Sequence, residues 1–431
     1  MQITLLDRKN HHTFQPLLYQ VATAGLSPGE IASPIRSILR DQKNVEVLLG
    51  EVTGFDLGRR VVETPGRSFP YDYLIVAAGA RHSYFGHDDW EKLAPGLKTI
   101  EDAIEIRRRV LLAFELAERQ AASGNSTSPI HFIVVGGGPT GVELAGTLAE
   151  ICHHALTHEF RSIDPARSRI LLVEGGPRVL PAYSEDLSRS AQEQLERLGV
   201  EVRTSAMVTR VESGAVDIGD TRLPASVVLW AAGVAASPLG KKLGVTVDRA
   251  GRVPVEPDLS LATHPEVFVI GDLAALKDEH GRMLPGVAPV AILEGRFVAK
   301  VIRREANLRV ESRWGTRTAA PRPRFRYWDK GSLATIGRAA AVAEFGKIHI
   351  SGFLAWLAWL FVHILFLIGF RNRLLVFIQW AWSYVTYERG ARLITGSTDL
   401  PGWAASRADL PASGDTPDEQ APQEIHAGAL K

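Results

Sequence analysis

The sequence predicts an α/β chain made of two similar halves and a shorter helical region towards the C-terminus. A glycine-rich turn separates an apolar run from a helix-like pattern within residues 131–151. The strand-like runs of residues 1–100 recur in the same order after residue 130. Two uncharged, tryptophan-rich runs lie between residues 348 and 387. A chain of 431 residues has room for two or three domains and a large core.

The composition excludes several classes of function. The 49 basic and 48 acidic residues nearly balance, so the overall charge gives no attraction to nucleic acid. Cys152 is the one cysteine, which excludes a disulfide framework and a thiolate metal site. His154 and His158 have i, i+4 spacing, but we interpret them as an exposed helix face and predict no metal site. Residues 1–7 predict a strand rather than a signal peptide, so a cytoplasmic chain is expected.

The glycine-rich turn has the spacing G-x-G-x-x-G, supplied by Gly136, Gly138 and Gly141, with Thr140 inside it. Such glycines let the backbone turn tightly and approach a pyrophosphate, which then lies at the N-terminus of the following helix. A tight turn without a ligand is the alternative, because a lone glycine motif is weak evidence. The strand before it, the helix after it and an acidic strand end further on favour a dinucleotide site.

The acidic strand end is Glu174, which follows the apolar run 170–173. A carboxylate there accepts hydrogen bonds from a ribose 2′-hydroxyl and repels a 2′-phosphate, which predicts NADH in preference to NADPH. Arg178 lies four residues further on and weakens this prediction, because a nearby arginine can accommodate a 2′-phosphate.

The two halves repeat one pattern, which indicates two Rossmann-like nucleotide-binding domains. In the first, one strand ends on Asp7 and a later strand, 73–80, runs into Ala-Ala-Gly; in the second, the strand ending on Glu174 is followed by Ala-Ala-Gly at 231–233. Asp7 would hold the ribose of a second nucleotide. Asp272, after the apolar run 267–270, would bind the ribityl chain of FAD or would be an ordinary turn residue.

The first half has no glycine turn before Asp7. The usual spacing places that turn roughly 20 residues upstream of the acidic residue, which is beyond Met1. We therefore expect the working protein to extend roughly 25 to 35 residues upstream, with an apolar strand and a G-x-G-x-x-G turn. The chain as given is then expected to hold little flavin.

The C-terminal uncharged runs suggest contact with a membrane. Residues 348–370 are numerous enough to span a bilayer, while the tryptophans and bordering arginines also fit helices lying in the headgroup region. A buried core helix is a third interpretation. His363 is predicted to be a packed histidine rather than a quinone ligand, and the tail from Ser397 is predicted to be disordered.

The chain resembles the bacterial type II NADH dehydrogenases, which are single-subunit NADH:quinone oxidoreductases. The single cysteine agrees, because electrons must then pass from nicotinamide to flavin to an acceptor without a thiol relay. The resemblance covers residues 1 to about 395 and is carried by residues 7–28, 131–146, 267–274, 284–299, 327–342 and 352–373.

The resemblance implies the two-dinucleotide-binding flavoprotein fold with non-covalent FAD, NADH as substrate and C-terminal membrane-associated helices. The implied domains are residues 1–108 with 250–346 for FAD, 109–249 for NADH, 347–395 for the membrane-anchoring helices and 396–431 for the tail. The implied activity is hydride transfer from NADH to FAD and then two electrons to a membrane quinone, without proton pumping. The implied location is the cytoplasmic face of the bacterial inner membrane, as a peripheral protein.

The resemblance also implies roles for individual residues. The FAD contacts would be Asp7, Arg8, Pro16, Leu17, Leu18, Val52, Gly79, Asp272, Pro289 and Val290. The NADH contacts would be Gly136, Gly138, Thr140, Gly141, Glu174 and Gly233. Glu143 would take part in proton handling, and Pro289 and Leu293 would meet the quinone. The family often has a glutamine at the position of Leu293, so this chain lacks a hydrogen-bonding group there.

Two other functions are kept. A soluble NADH-dependent flavin reductase or diaphorase would use a small acceptor, and the uncharged C-terminal runs argue against it. A flavin-free inactive fragment of the dehydrogenase is suggested by the absence of a glycine turn before Asp7. The sequence leaves the quinone and the oligomeric state, including a homodimer, open.

Overall fold

The computed structural model describes residues 1–312, 321–386 and 389–395, so Tyr387 and the tail from Ser397 lie outside the described residues. The first half begins with helices α1 (Leu18–Ala22), α2 (Pro28–Ile31), α3 (Ile35–Ile38) and α4 (Ile100–Ala122). Its strands are β1 (Ile3–Asp7), β2 (His11–Thr13), β3 (Ala32–Pro34), β4 (Val45–Leu49), β5 (Gly54–Asp56), β6 (Val61–Thr64), β7 (Arg67–Pro70), β8 (Leu74–Val76) and β9 (Ala80–His82).

The second half contains helices α5 (Pro139–Glu150) and α6 (Glu185–Arg197). Its strands are β10 (His131–Val135), β11 (Arg169–Val173), β12 (Val200–Arg203), β13 (Val208–Glu212), β14 (Ala215–Ile218), β15 (Thr221–Pro224), β16 (Val227–Trp230) and β17 (Val234–Ala236). The chain then returns through β18 (Val253–Pro254), β19 (Val267–Val269), β20 (Ala274–Ala275) and α7 (Ala288–Ser312). The last elements are β21 (Ser332–Gly337), β22 (Ala340–Phe345), β23 (Ile348–Ser351), α8 (Phe353–Phe366) and α9 (Phe370–Thr386).

The second half has one continuous parallel sheet in the order β12-β11-β10-β16. Its register aligns Phe132 with both Ile170 and Val227. Residues 132–135 and 170–173 are all buried, which is what a parallel sheet covered on both faces requires of its strands. The near-continuous apolar runs in the sequence predict this burial, and the four carboxyl ends lie at one edge.

The parallel strands of the first half, together with β19 from the segment that returns after β17, form two separate pairs. β1 pairs with β4, aligning Asp7 with Leu49, and β8 pairs with β19, aligning Val76 with Val269. The sequence predicts a buried strand over 73–80, but the regular strand is shorter and Ile75 within it is 43% exposed.

A short antiparallel pair joins the two halves. β9 pairs with β17, so His82 lies opposite Val234 and Ala80 opposite Ala236. This pairing brings the segment after β9 to the carboxyl end of β16, beside the glycine turn of the second half.

The sheet β21-β22-β23 packs against α5 and α8. Gly146 on α5 makes this possible, because an added Cβ would overlap the Ile336 carbonyl oxygen. A domain boundary between residues 346 and 347 falls in the turn from β22 to β23, inside this sheet. The domain limits stay predictions.

The uncharged run 348–370 is not one helix. It begins as β23, turns at Gly352 with φ of +72°, continues as α8 and is interrupted at residues 367–369 before α9. Across the described residues, no helix combines the length and the apolar character that crossing a membrane needs. Hydropathy alone does not show such breaks, because a strand and a helix of the same apolar residues have the same composition.

Two further helix predictions are wrong in detail. The sequence after Asp272 is compatible with a helix. In the structure Asp272 lies in a 3₁₀ turn, Gly271–Leu273, which β20 follows, and helix α7 begins only at Ala288. α5 ends at Glu150 and a π-helical turn, Ile151–Ala155, follows it, where the sequence predicts one long helix through His153.

Candidate functional site

The glycine turn of residues 136–141 joins β10 to α5. Gly136 has φ of +108°, and an added Cβ would lie 2.5 Å from the Ala231 carbonyl carbon. At Gly141 an added Cβ would overlap the Gly136 carbonyl oxygen. Gly138 faces open space, and α5 begins at Pro139 with no side-chain cap on its first N–H groups. The turn therefore leaves room and donors for an anion at the helix N-terminus.

The carboxylate of Glu174 lies beside this turn. Its two oxygens accept hydrogen bonds from the backbone N–H groups of Gly137, at 2.5 Å, and Gly176, at 2.6 Å. Arg178 is held elsewhere, because its guanidinium donates to the carbonyl oxygens of Tyr183 at 2.6 Å and Pro181 at 3.0 Å. The guanidinium of Arg178 is thus engaged with the backbone, so the predicted preference for a ribose 2′-hydroxyl depends on Glu174.

Gly233 lies on the opposite side of the turn from Glu174. The order β11-β10-β16 places Glu174 after one neighbour of β10 and Gly233 after the other. Ala231 donates its N–H to the Val135 carbonyl oxygen at 2.7 Å, which holds the end of β16 against β10. The structure thus brings the predicted NADH residues to one sheet edge.

Three of the predicted FAD residues lie at or just after the carboxyl ends of β1, β8 and β19. Asp7 ends β1 and accepts a hydrogen bond from the Lys9 N–H at 2.8 Å. Asp272 follows β19 and forms an ion pair with Lys98, with Oδ2 and Nζ 3.4 Å apart. Gly79, after β8, has φ of +64°. Asp7 and Asp272 follow strands of two separate sheets, and a carboxylate at each strand end suits the hydroxyl groups of a ribose or a ribityl chain, so these residues fit FAD.

The remaining predicted FAD and quinone residues differ in accessibility. Leu17 and Leu18 are buried in the largest hydrophobic cluster, at a 3₁₀ turn and the start of α1, rather than in a loop. The other positions range from buried to exposed: Val290 is buried, Pro16, Val52 and Leu293 are partly buried, and Arg8 and Pro289 are exposed.

Glu143 lies on α5, two residues after Gly141. Burial raises the pKa of its carboxyl group well above the ordinary glutamate value, and a hydrogen bond from the Thr335 backbone opposes this shift only partly. The shift favours the protonated form of this partly buried carboxyl group. The part in proton handling that the resemblance implies for Glu143 stays a prediction.

Comparison with known proteins identifies the family. Residues 1–295 match the pyridine nucleotide-disulphide oxidoreductase family, and residues 329–386 match the NDH2 C-terminal domain. The chain is 45% identical over 422 residues to the type II NADH:quinone oxidoreductase Ndh of Mycobacterium tuberculosis, covering 95% of this chain and 88% of that protein. The chain belongs to the type II NADH:quinone oxidoreductases. This membership confirms the predicted fold class, enzyme class and cofactors, FAD with NADH.

Two other proteins of this kind share less sequence identity with the chain. The type II NADH:quinone oxidoreductase of Staphylococcus haemolyticus is 30% identical over 340 residues, covering 78% of this chain and 80% of that protein. The structure of NDH2 from Plasmodium falciparum in complex with NADH has a TM-score of 0.79 at 22% identity, covering 92% of this chain and 95% of that chain. The second likeness shows the fold.

The single cysteine of this type II enzyme is not placed for redox chemistry. Cys152 is fully buried beside α5, and burial raises the pKa of its thiol to about 12. A thiol in that state is a poor nucleophile, because the thiolate is the reactive form. This agrees with the predicted electron path without a thiol relay.

Sequence reasoning missed Glu294. This residue lies on α7, is 1% exposed, and its carboxylate accepts a hydrogen bond from the Gly271 N–H at 2.6 Å. Burial, together with the nearby charge of Asp272, raises the pKa of Glu294 to about 7. The signal in the sequence was a charged residue within an otherwise apolar helix start, but its partner is 23 residues away.

Sequence reasoning also missed a buried ion pair near the C-terminal helices. Arg389 donates to the Glu150 carboxylate at 2.7 Å and to the Thr23 carbonyl oxygen at 3.0 Å, and both charged side chains are about nine-tenths buried. Next to this pair is a cavity of about 100 Å³ between α1, α5, α8 and α9. Its walls include the rings of Tyr19, Trp356, Trp359, Trp380 and Tyr384.

His363 has the role that the sequence predicts. Its Nδ1 lies 2.7 Å from the Trp359 carbonyl oxygen and its ring stacks on the Trp359 indole with centroids 4.3 Å apart. Burial lowers the pKa of His363 to about 4, so the ring is neutral at physiological pH. It is a packed histidine in this structure.

Proposed function

We propose that this chain oxidises NADH in the crevice beside residues 136–141 and delivers the electrons to a quinone at a lipid surface. The observation that carries the proposal is the placement of a complete dinucleotide turn, an acidic ribose acceptor and an exposed apolar helix pair in one chain. FAD, when bound, accepts hydride from NADH and passes two electrons to the quinone. The protein binds and orients both partners.

The NADH half of the mechanism uses the edge of the continuous sheet. The open space at Gly138 and the first N–H groups of α5 receive the pyrophosphate. Glu174 accepts the hydroxyl groups of the adenosine ribose. Thr140 and Gly233 complete the contacts on either side of the turn.

The FAD half uses the strand ends of the first half. Asp7 with Arg8 and Val52 would hold the adenosine part, while Asp272 and Gly79 would hold the ribityl chain. The segment Pro16–Leu18 and the start of α7, Pro289 and Val290, would flank the flavin ring. These assignments follow from the resemblance, and the carboxylates at the ends of β1 and β19 support them.

Glu143 is proposed to handle protons. Reduction of a quinone to a quinol consumes two protons, so a protonated group near the electron path is needed. Glu143 is such a group because burial raises the pKa of its carboxyl well above the ordinary value. It can release a proton at its carboxyl oxygen and regain one from solvent.

Lipid contact is proposed for the outer faces of α8 and α9. These helices expose many large apolar side chains, among them Leu354, Phe361, Leu365, Phe366, Phe370, Leu374, Phe377, Ile378, Trp382 and Val385. An exposed apolar surface of this extent costs free energy in water and marks an interaction site. The enzyme would lie on the cytoplasmic face of the bacterial inner membrane as a peripheral protein, in the manner of interfacial amphipathic helices.

The quinone would reach the flavin from this lipid-contacting surface. The aromatic cavity lies between α8, α9 and α1, and α1 directly follows the segment Pro16–Leu17 that is assigned to the flavin ring. Leu293 and Pro289 at the start of α7 would form the wall that the quinone ring meets.

Binding of the whole chain to vesicles of phosphatidylcholine and phosphatidylglycerol tests this function. The double variant Leu354→Ser/Phe361→Ser should lose vesicle binding and the reduction of a long-chain quinone, but keep NADH oxidation with a water-soluble quinone. The matched control Ile38→Ser changes one exposed apolar residue on α3 and should keep all three. Unchanged vesicle binding of the double variant would contradict the assignment of lipid contact to α8 and α9, and an unaltered chain that does not bind vesicles would favour the soluble diaphorase.

A further inference from the structure

Phe85 combines features that folding alone does not explain. Its backbone φ is +54°, a region that bulky residues avoid because Cβ then crowds the neighbouring carbonyl group. Its side chain is 67% exposed. Its ring packs against Gly233, where an added Cβ would lie 2.7 Å from the ring carbon Cζ. A strained backbone that holds an aromatic ring in solvent indicates a functional role.

The neighbours of Phe85 enforce this conformation. The Ser83 N–H donates to the Gly233 carbonyl oxygen at 3.1 Å, and the Trp230 indole donates to the Ser83 carbonyl oxygen at 2.8 Å. Tyr84 is buried and stacks on Trp230 with ring centroids 5.2 Å apart. The two residues before Phe85 are therefore fixed to the end of β16. Beyond it, Trp90 also packs against Trp230, with ring centroids 5.6 Å apart. These contacts hold the loop that carries Phe85.

The sheet order shows which part of a dinucleotide would reach Phe85. Glu174 stands after β11, on one side of β10, and Gly233 stands after β16, on the other side. A dinucleotide with its adenosine ribose at Glu174 and its pyrophosphate at Gly138 must extend its second half towards Gly233. The Phe85 ring lies there, packed against Gly233.

We propose that Phe85 contacts the nicotinamide half of NADH, packing its ring against the nicotinamide riboside and shielding it from water. The inference rests on the proposed function, because it needs NADH in this crevice. An aromatic face suits the planar ring of a dihydronicotinamide, and a contact of this kind contributes to binding beyond the buried area. A fixed loop avoids the entropy cost of ordering that ring at each binding event.

Titration of the whole chain with two nucleotides tests the proposal. NADH and ADP-ribose share the adenosine, the pyrophosphate and the second ribose, and only NADH carries the nicotinamide. Phe85→Gly accepts the positive φ without strain and removes the ring, so the fold is kept. Quenching of tryptophan fluorescence should show NADH binding weakened about three- to twelve-fold in Phe85→Gly. The affinity for ADP-ribose should stay unchanged.

Two further variants sharpen the result. Phe85→Tyr keeps the ring and should bind NADH as the unaltered chain does. Phe69→Ala removes a partly buried phenylalanine on β7, outside the crevice, and should change neither affinity. An equal loss for NADH and ADP-ribose in Phe85→Gly, or no loss for either, would overturn the proposal. If the unaltered chain bound neither nucleotide, the proposed NADH site itself would be wrong.

Discussion

The two nucleotide-binding halves of the chain share one sequence pattern but differ in how their parallel strands pair. In the second half, β12, β11, β10 and β16 form one parallel sheet, so Glu174, the glycine turn and Gly233 are held at one edge by backbone pairing. In the first half, β1–β4 and β8–β19 form two separate pairs among the described residues. Asp7 and Asp272 therefore stand on different sheets. Repeated local patterns predict strand ends equally well in both halves, but only continuous pairing fixes the distances between them.

Glycine substitutions should show the largest difference between the halves. Gly136→Ala forces a side chain into φ of +108° and against the Ala231 backbone, so it should lower the free energy of unfolding by about 3 kcal/mol or more. Gly79→Ala, at φ of +64° with open space around it, should cost about 1–2 kcal/mol. Urea unfolding of both variants measures this. Equal losses would show that the two turns are equally constrained.

The pH dependence of the free energy of unfolding should reveal the buried carboxyl group of Glu294, on α7. The pKa of Glu294 rises from the ordinary 4.5 to about 7, so the folded chain binds a proton that the unfolded chain has lost between these pH values. Glu294 therefore makes the free energy of unfolding fall as the pH rises from 4.5 to about 7. Glu294→Gln keeps an acceptor for the Gly271 N–H and removes this dependence, which amounts to about 2–3 kcal/mol between pH 4.5 and 8.

Unfolding by urea at several pH values measures the effect of Glu294→Gln. The control is Glu46→Gln, which changes an exposed carboxyl group on β4 and should leave the pH profile as it is. A profile for Glu294→Gln that parallels that of the unaltered chain would mean that Glu294 is already ionised in the folded state.

The sequence predicted those parts of the site that depend on local pattern. The strand that ends on Asp7, the turn at Gly136 and the strand that ends on Glu174 each combine a hydrophobic run with a diagnostic residue at its end. Glu294 could not be found in this way, because burial beside Gly271 is a tertiary contact. The break of the apolar run at Gly352 was missed because hydropathy does not record backbone conformation.

Phe85 shows a second limit of sequence reasoning. A phenylalanine in a loop between strands is an ordinary surface residue in sequence terms. Its role emerges only when the backbone φ and the contact with Gly233 are known. Such strained positions are where local rules fail for functional reasons.

The preference for NADH over NADPH tests the role proposed for Glu174, which lies at the edge of the continuous sheet. Glu174 should give NADH a kcat/KM at least about tenfold above that of NADPH, because its carboxylate repels a 2′-phosphate. Glu174→Gln removes the charge and should reduce this ratio, as measured by steady-state oxidation of both nucleotides. Arg178→Ala serves as the control, since its guanidinium is bound to backbone carbonyl groups. A chain that uses NADPH as well as NADH would contradict the assignment of Glu174.

The smallest expected effect concerns Leu293, on helix α7. Leu293 is partly buried and gives the proposed quinone wall an apolar surface. Leu293→Gln should change the KM for quinone by only a few-fold, about 1 kcal/mol, because one hydrogen bond replaces an apolar contact. Anaerobic stopped-flow reduction of the flavin by NADH should be unaltered, since Leu293 is assigned to the quinone wall and none of the residues proposed to bind NADH lies on α7. Ile292→Gln, at the exposed neighbouring position, controls for polarity alone. A slower NADH half-reaction in Leu293→Gln would place this side chain on the nicotinamide face and contradict its assignment to the quinone wall.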